Sequence, residues 1–295
     1  MFTCFRRRTN INNSAVQRKI YQNQFHNDCS NTYTYTQHML PSVFGNDLEK
    51  IVLGVQAAME RKVPLSVRWN YNDSKHDGFN ATCPAKDMSC YFLPITNCQP
   101  NTRKMDNDPI RLINKYVDDF QSIYKYMTRQ QQWLRKLVYD MVKPMESKLT
   151  VPCSVVHVRR RADIALHGSQ ARTSFPISDY VNLLPSRTDT VLLLTNDANV
   201  IDEALEFHPD ISWVYFDHKQ RSTSGGLEDS KQELVTILSI LKLVPRCSTL
   251  IHSRSTHALS RVMGPHVTLL QVVDNSNGTN ILHANNSTII PVPYT

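Results

Sequence analysis

The chain is poor in the features that most often announce a nucleotide site. It has eight glycines in 295 residues, and neither GxGxxG nor GxxxxGK[ST] occurs. A glycine-rich backbone cradle of either kind is therefore excluded, and any phosphate must be held by side chains or by a helix start. No CxxC pair occurs among the seven cysteines, which removes the common zinc spacings. At the strand ends predicted for the second half no DxD pair stands. The nearest acids, Asp217 and Asp229, are too far apart in sequence to form one. No apolar run approaches the length of a membrane-spanning helix. The opening "MFTCFRRRTNINN" has a basic cluster without an apolar stretch after it, so no signal peptide is read there.

Hydrophobic residues make up 41% of the chain, enough for a substantial core and against wholesale disorder. The net charge of +7 is uneven. Residues 1–150 hold 21 Lys/Arg against 13 Asp/Glu, and residues 151–295 hold 12 against 13. The basic half suits an acidic surface, but its charges are scattered and lack the aromatic interleaving of base-stacking proteins. No nucleic-acid partner is expected.

Two features favour a secretory compartment. N-x-[ST] sequons occur at Asn12, Asn72, Asn80, Asn277, Asn285 and Asn286. Cys83, Cys90 and Cys98 crowd one loop-like stretch, "CPAKDMSCYFLPITNC", at spacings unsuited to metal. At least one disulfide is expected from these three. A lumenal domain whose membrane anchor lies outside this chain is the corresponding expectation.

Three segments are read along the chain. Residues 1–40 are polar and aperiodic, and are expected to be poorly ordered or draped over the surface. Residues 41–150 form an N-terminal α/β domain. "DLEKIVLGVQAAMERK" has helical spacing, "VPLSVRWNYND" reads as strand and turn, and the cysteine loop follows. Residues 109–149 read as mostly helix, opened by Pro109 and ended by Pro144. Residues 151–295 alternate strand and helix: "CSVVHVRR", "PISDYVNLLP", "TVLLLTND", "ANVIDEALEFH", "ISWVYFD", "SKQELVTILSILKLVPR", "STLIHS" and "THALSRVMG". This predicts a doubly wound parallel sheet.

Ligands of such sheets bind beyond the carboxyl ends of the strands. Read off the sequence, those ends carry His157, Arg159, Arg160 and Arg161; then Thr195, Asn196 and Asp197; then Asp217 and His218; then His252, Ser253, Arg254, Ser255 and Thr256. Guanidiniums clamp phosphate in fork geometry, and hydroxyls at a helix start suit the same anion. Several residues have a structural reading as well. Asp197 is either a helix cap or a ligand contact, Arg161 is a solvated charge, and His252 a core histidine. Arginines closing a buried strand point instead to an anion.

"VVHVRRRAD", "FPISDYV", "LLLTNDANVIDEALEFHPD" and "LIHSRST" resemble the three motifs of the α-1,6-fucosyltransferase family. The H-V-R-R signature is shared with α-1,2- and protein O-fucosyltransferases. The resemblance covers residues 151–264, and more loosely the helix, strand and cysteine loop upstream. It implies a GT-B-like fold of two Rossmann-like domains and an inverting transfer of fucose from GDP-fucose to a glycan acceptor, most simply α-1,6 to the core GlcNAc of an N-glycan. It implies Arg159 as the essential arginine. His157, Arg160, Asn196, Asp197, Ser253, Ser255 and Thr256 fall on donor-binding positions. No metal and no other cofactor is implied. Asp163 is the candidate base, displaced by one residue from the family pattern. Two family acids have no match here, and one of those positions meets only Thr236 or Ser239. The alternatives are an α-1,2- or O-fucosyltransferase with the same donor site, or a catalytically degenerate glycan-binding domain. A Golgi or secretory lumen follows from the same resemblance.

Overall fold

In the computed structural model the described residues are 15–25, 27–38, 44–70, 88–99, 120–160, 175–186, 188, 190–195, 197–216, 227–253, 257–264, 266–273 and 280–284. All six sequons and Cys83 lie outside them. The chain divides into two compact units, Met1–Gln131 and Gln132–Thr295. The division precedes the boundary expected near residue 150, because the helix before that point packs on a helix of the second unit.

In the first unit, α1 (Ala15–Gln24) leads to β1 (Tyr33–His38), α2 (Phe44–Glu60) and β2 (Leu65–Asn70). The strands pair in parallel, Tyr33 opposite Leu65, so β1-α2-β2 is one crossover unit. Leu48, Ile51, Val52, Val55 and Ala58 of α2 are buried, as their helical spacing requires. A Cβ on Gly54 would come within 3.2 Å of the Leu65 side chain, so a glycine allows α2 to approach β2 closely. Within residues 1–40 the structure has a helix and a strand, α1 and β1. Few positions of α1 are buried, Ile20 and Gln24, so no apolar stripe marks it. Distant contacts hold it instead. The Gln24 side chain accepts from Leu65 N (3.0 Å), its carbonyl accepts from Thr96 Oγ1 (2.6 Å), and Asn23 Nδ2 donates to Val63 O (2.9 Å).

A disulfide joins Cys29 to Cys98, and Cys90 is also disulfide-bonded, so the cysteine loop is cross-linked as expected. The helix read over residues 109–149 is interrupted where it is described. α3 (Phe120–Met127) and α4 (Gln132–Glu146) flank a break at which Leu93 N donates to Arg129 O and Gln131 N to Tyr91 O. Backbone pairing with the cysteine loop replaces the helical ladder there. Pro144 lies within the last turn of α4 rather than ending it.

The second unit carries, after α4, β3 (Cys153–Val158), α5 (Ile177–Val181), β4 (Thr190–Thr195), α6 (Ala198–Phe207), β5 (Ser212–Tyr215), α7 (Leu227–Leu243), β6 (Thr249–His252), α8 (His257–Met263), β7 (Thr268–Val273) and β8 (Asn280–Ala284). The sheet order is β5-β4-β3-β6-β7-β8, with the first five parallel and β8 antiparallel. α8 closes at Gly264, whose φ of 103° favours glycine.

The pleat sorts the side chains. Val156 and Val158 of β3, Ile251 of β6 and Leu270 and Val272 of β7 pack with Ile177, Tyr180, Val200 and Ala204 on the face covered by α5 and α6. Cys153, Val155 and His157 take the opposite face by alternation. At the start of the strands a disulfide joins Cys153 to Cys247. Ser248 N donates to Cys153 O (3.1 Å) beside it.

Candidate functional site

The chain lays down β3, β4 and β5 in one direction, then crosses back to place β6 on the other side of β3. The order reverses between β3 and β6, which is where such sheets open a crevice beyond their carboxyl ends. His157 and His252 stand at this point, directly opposite one another in the register. The row across the sheet at their level reads Leu194, His157, His252, Gln271.

His157 is half-buried and His252 buried. Burial chiefly, then the nearby His252 and Arg159, lowers the His157 pKa from its ordinary value to about 4. The imidazole is therefore neutral near pH 7 and can donate one hydrogen bond while accepting another. Arg159 follows the strand and is exposed. This end of β3 thus offers a guanidinium and a neutral imidazole on the rim of the crevice.

Arg160, expected at the donor site, is tied to α6 in the structure. Its guanidinium forms a two-pronged ion pair with Glu203 of α6, Nη2 to Oε2 being 2.6 Å and Nη1 bonding Oε1. Nη2 also donates to Phe175 O (3.0 Å). The hydrogen bonds to Glu203 raise the arginine's pKa, and the same pairing lowers that of Glu203. Its side chain is 12% exposed, so its fork is spent on α6 and on the segment entering α5. Continuing the strand's alternation explains this: Arg160 follows Val156 and Val158 onto the α6 face.

Asp197 has the geometry of a helix cap. It caps α6, its Oδ1 accepting from Asn199 N (3.1 Å), while its own N–H donates to Thr195 Oγ1 (3.1 Å). That satisfies an orphan helix donor. Thr236 and Ser239 donate to the carbonyls of Gln232 (2.8 Å) and Val235 (2.7 Å) one turn back in α7. Ser253 is half-buried at the end of β6. Asp163, Asn196, Ser255, Thr256, Arg161, Arg254, Asp217 and His218 lie outside the described residues, as does the side chain of Asp229.

Sequence reading missed Glu203 and the Cys153–Cys247 link. Glu203 gives no local sign, being one acid among several on an amphipathic helix. The two cysteines did give one, each preceding or opening a predicted strand. A cleft of about 940 Å³ lies beside the edge strand β5, lined by Leu137, Met141, Trp213, Tyr215, Lys231 and Val235 among others. It includes none of His157, Arg159, His252 and Ser253, and its lining mixes apolar side chains with Lys148, Lys231 and Gln232. Among the described residues no group of three or more His, Cys, Asp or Glu is placed to hold a metal ion, and no helix is long and apolar enough to cross a membrane.

No protein-family model matches the chain, and no curated protein matches it. Solved structures do. The fucosyltransferase NodZ from Bradyrhizobium superposes with a TM-score of 0.54 at 14% identity, over 85% of this chain and 99% of that one. NodZ α-1,6-fucosyltransferase co-crystallized with GDP gives 0.51 at 14% identity, over 85% and 98%. The same enzyme soaked with GDP-fucose gives 0.51 at 15% identity, over 85% and 99%. The fold is thus the GT-B-like α/β fold of these neighbours.

Proposed function

We propose that the protein is a fucosyltransferase that moves fucose from GDP-fucose to a hydroxyl of a glycan acceptor, with inversion at the anomeric carbon. The observation that carries this reading is the set at the switch point. Arg159 and the neutral His157 end β3 at the crevice of a fold shared with NodZ, which has been crystallized with GDP and with GDP-fucose. The linkage implied by the motif resemblance is α-1,6 to the core GlcNAc of an N-glycan.

In the reaction the acceptor oxygen attacks C1 of fucose from the face opposite the nucleotide. The new O–C1 bond forms as the bond from C1 to the phosphate oxygen breaks, and its electron pair leaves with GDP. The hydroxyl proton passes to a base, for which Asp163 is the candidate. Negative charge grows on the β-phosphate through an oxocarbenium-like transition state, and the Arg159 guanidinium would stabilise it. Fixed charge aimed at a leaving group is often the largest single catalytic contribution. That guanidinium supplies the positive charge that a divalent ion supplies elsewhere, so turnover is expected to survive EDTA.

Disulfides in both units, Cys29–Cys98 and Cys153–Cys247, support a lumenal, secretory-pathway location, the Golgi being the compartment the resemblance implies.

The test is incubation with GDP-fucose, and in parallel with UDP-sugars, in the presence of a mixed N-glycan pool. A deoxyhexose-bearing product from GDP-fucose alone, with its linkage read by mass spectrometry, supports the proposal. Binding of GDP-fucose with neither product nor GDP release would identify a degenerate glycan-binding domain instead.

A further inference from the structure

We propose that the outer edge of β5 and the cleft beside it bind an extended acidic peptide, a segment of a partner protein that pairs with β5 as one further strand. The donor-site reading is not needed for this.

The edge comes first. β5 ends the six-stranded sheet, with β4 on one side. Among the described residues no strand lies on its other side. Successive residues of a strand send their N–H and C=O groups to its two sides in turn, so an edge strand carries an outward row of them. Natural edges are often blunted by lysine, proline or a bulge. β5 reads SWVY, with neither charge nor proline, and its shortness is what protects it. The cleft of about 940 Å³ runs against this edge, and Trp213, Val214, Tyr215 and Phe216 all line it.

The cleft is long in the direction of the strand. Lys231 stands over Trp133 near the start of α7 and of α4, and Arg246 pairs with Glu146 near their ends. Each helix then leads by a short connection into a strand, α4 into β3 and α7 into β6. The two helices therefore lie side by side along the strands. Leu137, Met141 and Met145 form one stripe of α4 on the cleft, and Lys148 follows just past the helix. The rise from Leu137 to Lys148 is roughly 16 Å, the length of about five residues of extended chain. The walls differ by face. Trp213 and Tyr215 pack toward the α6 side, and Val214 and Phe216 take the other by alternation. An added strand would present its side chains to these two walls in turn.

Charge and backbone select the occupant. Among the described residues the lining has two lysines, Lys231 at one end and Lys148 at the other, and no acid. Lys148 is exposed. The acids of α4, Asp140 and Glu146, are paired with Lys136 and Arg246. A peptide with apolar residues at alternate positions and carboxylates near its ends matches walls and charge together. It also brings backbone groups of its own to the outward row of β5; a compact apolar molecule would leave that row unmatched. Charge opposes a second copy of this chain, since antiparallel pairing of two such edges sets Lys148 of one copy against Lys231 of the other.

The experiment is selection of a displayed library of random octapeptides on the intact, disulfide-bonded protein. The expected result is enrichment of sequences with apolar residues at alternate positions and carboxylates near the ends. An enriched peptide is then remade with alternate amides N-methylated, first along one edge and then along the other. One of the two should lose binding and the other keep it, as strand pairing on a single side requires. Hydrogen exchange at amides of Ser212–Tyr215 should slow when the unmethylated peptide binds. Lys148→Glu, at an exposed position, should weaken the peptide severalfold with melting unchanged. No enrichment, enrichment of basic or non-alternating sequences, or binding indifferent to methylation along either edge overturns the proposal. Protection of the β5 amides in the protein alone, rising with its concentration, would assign the edge to a second copy and overturn it equally.

Discussion

Two adjacent arginines of the same strand end have opposite fates. On the α6 face, Arg160 is locked by Glu203 and the Phe175 carbonyl. On the rim, Arg159 stays exposed beside a neutral His157 and a buried His252. Residue type does not separate them; the two-residue period of the pleat does. One face of the sheet uses a guanidinium to hold the fold, and the other presents a guanidinium and two imidazoles to a crevice. β3 repeats the contrast along its length: its start is tied by Cys153–Cys247, and its end carries the candidate chemistry.

The largest effect expected concerns the two ends of β3. Cys153→Ser with Cys247→Ser removes a link that closes a loop with a sequence separation of 94 residues, at a cost of roughly 4 kcal/mol. Chemical denaturation under oxidising conditions measures it, and the folded fraction should keep the parent's turnover. A large fall in turnover of folded protein would mean that the disulfide end and the crevice end are coupled.

Arg159→Lys comes next. It retains the charge and loses the fork, which is expected to lower fucose transfer by about 3 kcal/mol, a hundredfold or more, with little change in melting. Glu203→Gln should do the reverse. It loosens a half-buried ion pair and costs about 1–3 kcal/mol of stability, while turnover of the folded fraction stays near the parent's. Exchange of these two outcomes would reverse the roles assigned to the two arginines.

The smallest effect is in acid. The folded His157 pKa, about 4, lies below its ordinary value, so the unfolded chain binds more protons between the two. Its contribution to stability is full above the ordinary histidine range and is lost as pH falls toward 4. The lowered Glu203 pKa acts in the same direction but further down, its contribution being lost as pH falls below the ordinary glutamate range. Denaturation midpoints measured across this range should fall with pH, more shallowly in His157→Asn. An unchanged slope in that variant would remove His157 as the cause.

The sequence made the second unit legible because its cues are local. A buried strand reads as a short apolar run, a helix as a 3.6-residue period, and His157 and Arg159 announce themselves by ending such a run. The pairing of Arg160 with Glu203 was not legible, since it spans 43 positions and depends on which face a residue takes past the end of a strand. β7 and β8 escaped notice for a similar reason: the apolar stretches are present, but their place at the sheet edge is fixed by partners elsewhere. In the first unit, α1 and β1 carry too few apolar residues to show a period. Gln24, the Cys29–Cys98 bridge and pairing with β2 hold them, and none of these contacts is local. Asp197 stood between two readings in the sequence, and the structure shows its cap hydrogen bond to Asn199.

The central claim is that the rim arginine and not its buried neighbour receives the donor. A crystal structure of the protein with GDP tests it most directly. The account predicts the diphosphate within hydrogen-bonding distance of Arg159 and His157 at the β3–β6 crevice, with Arg160 still paired to Glu203. A diphosphate held by Arg160 after its release from Glu203, or GDP seated away from the ends of β3 and β6, would contradict it.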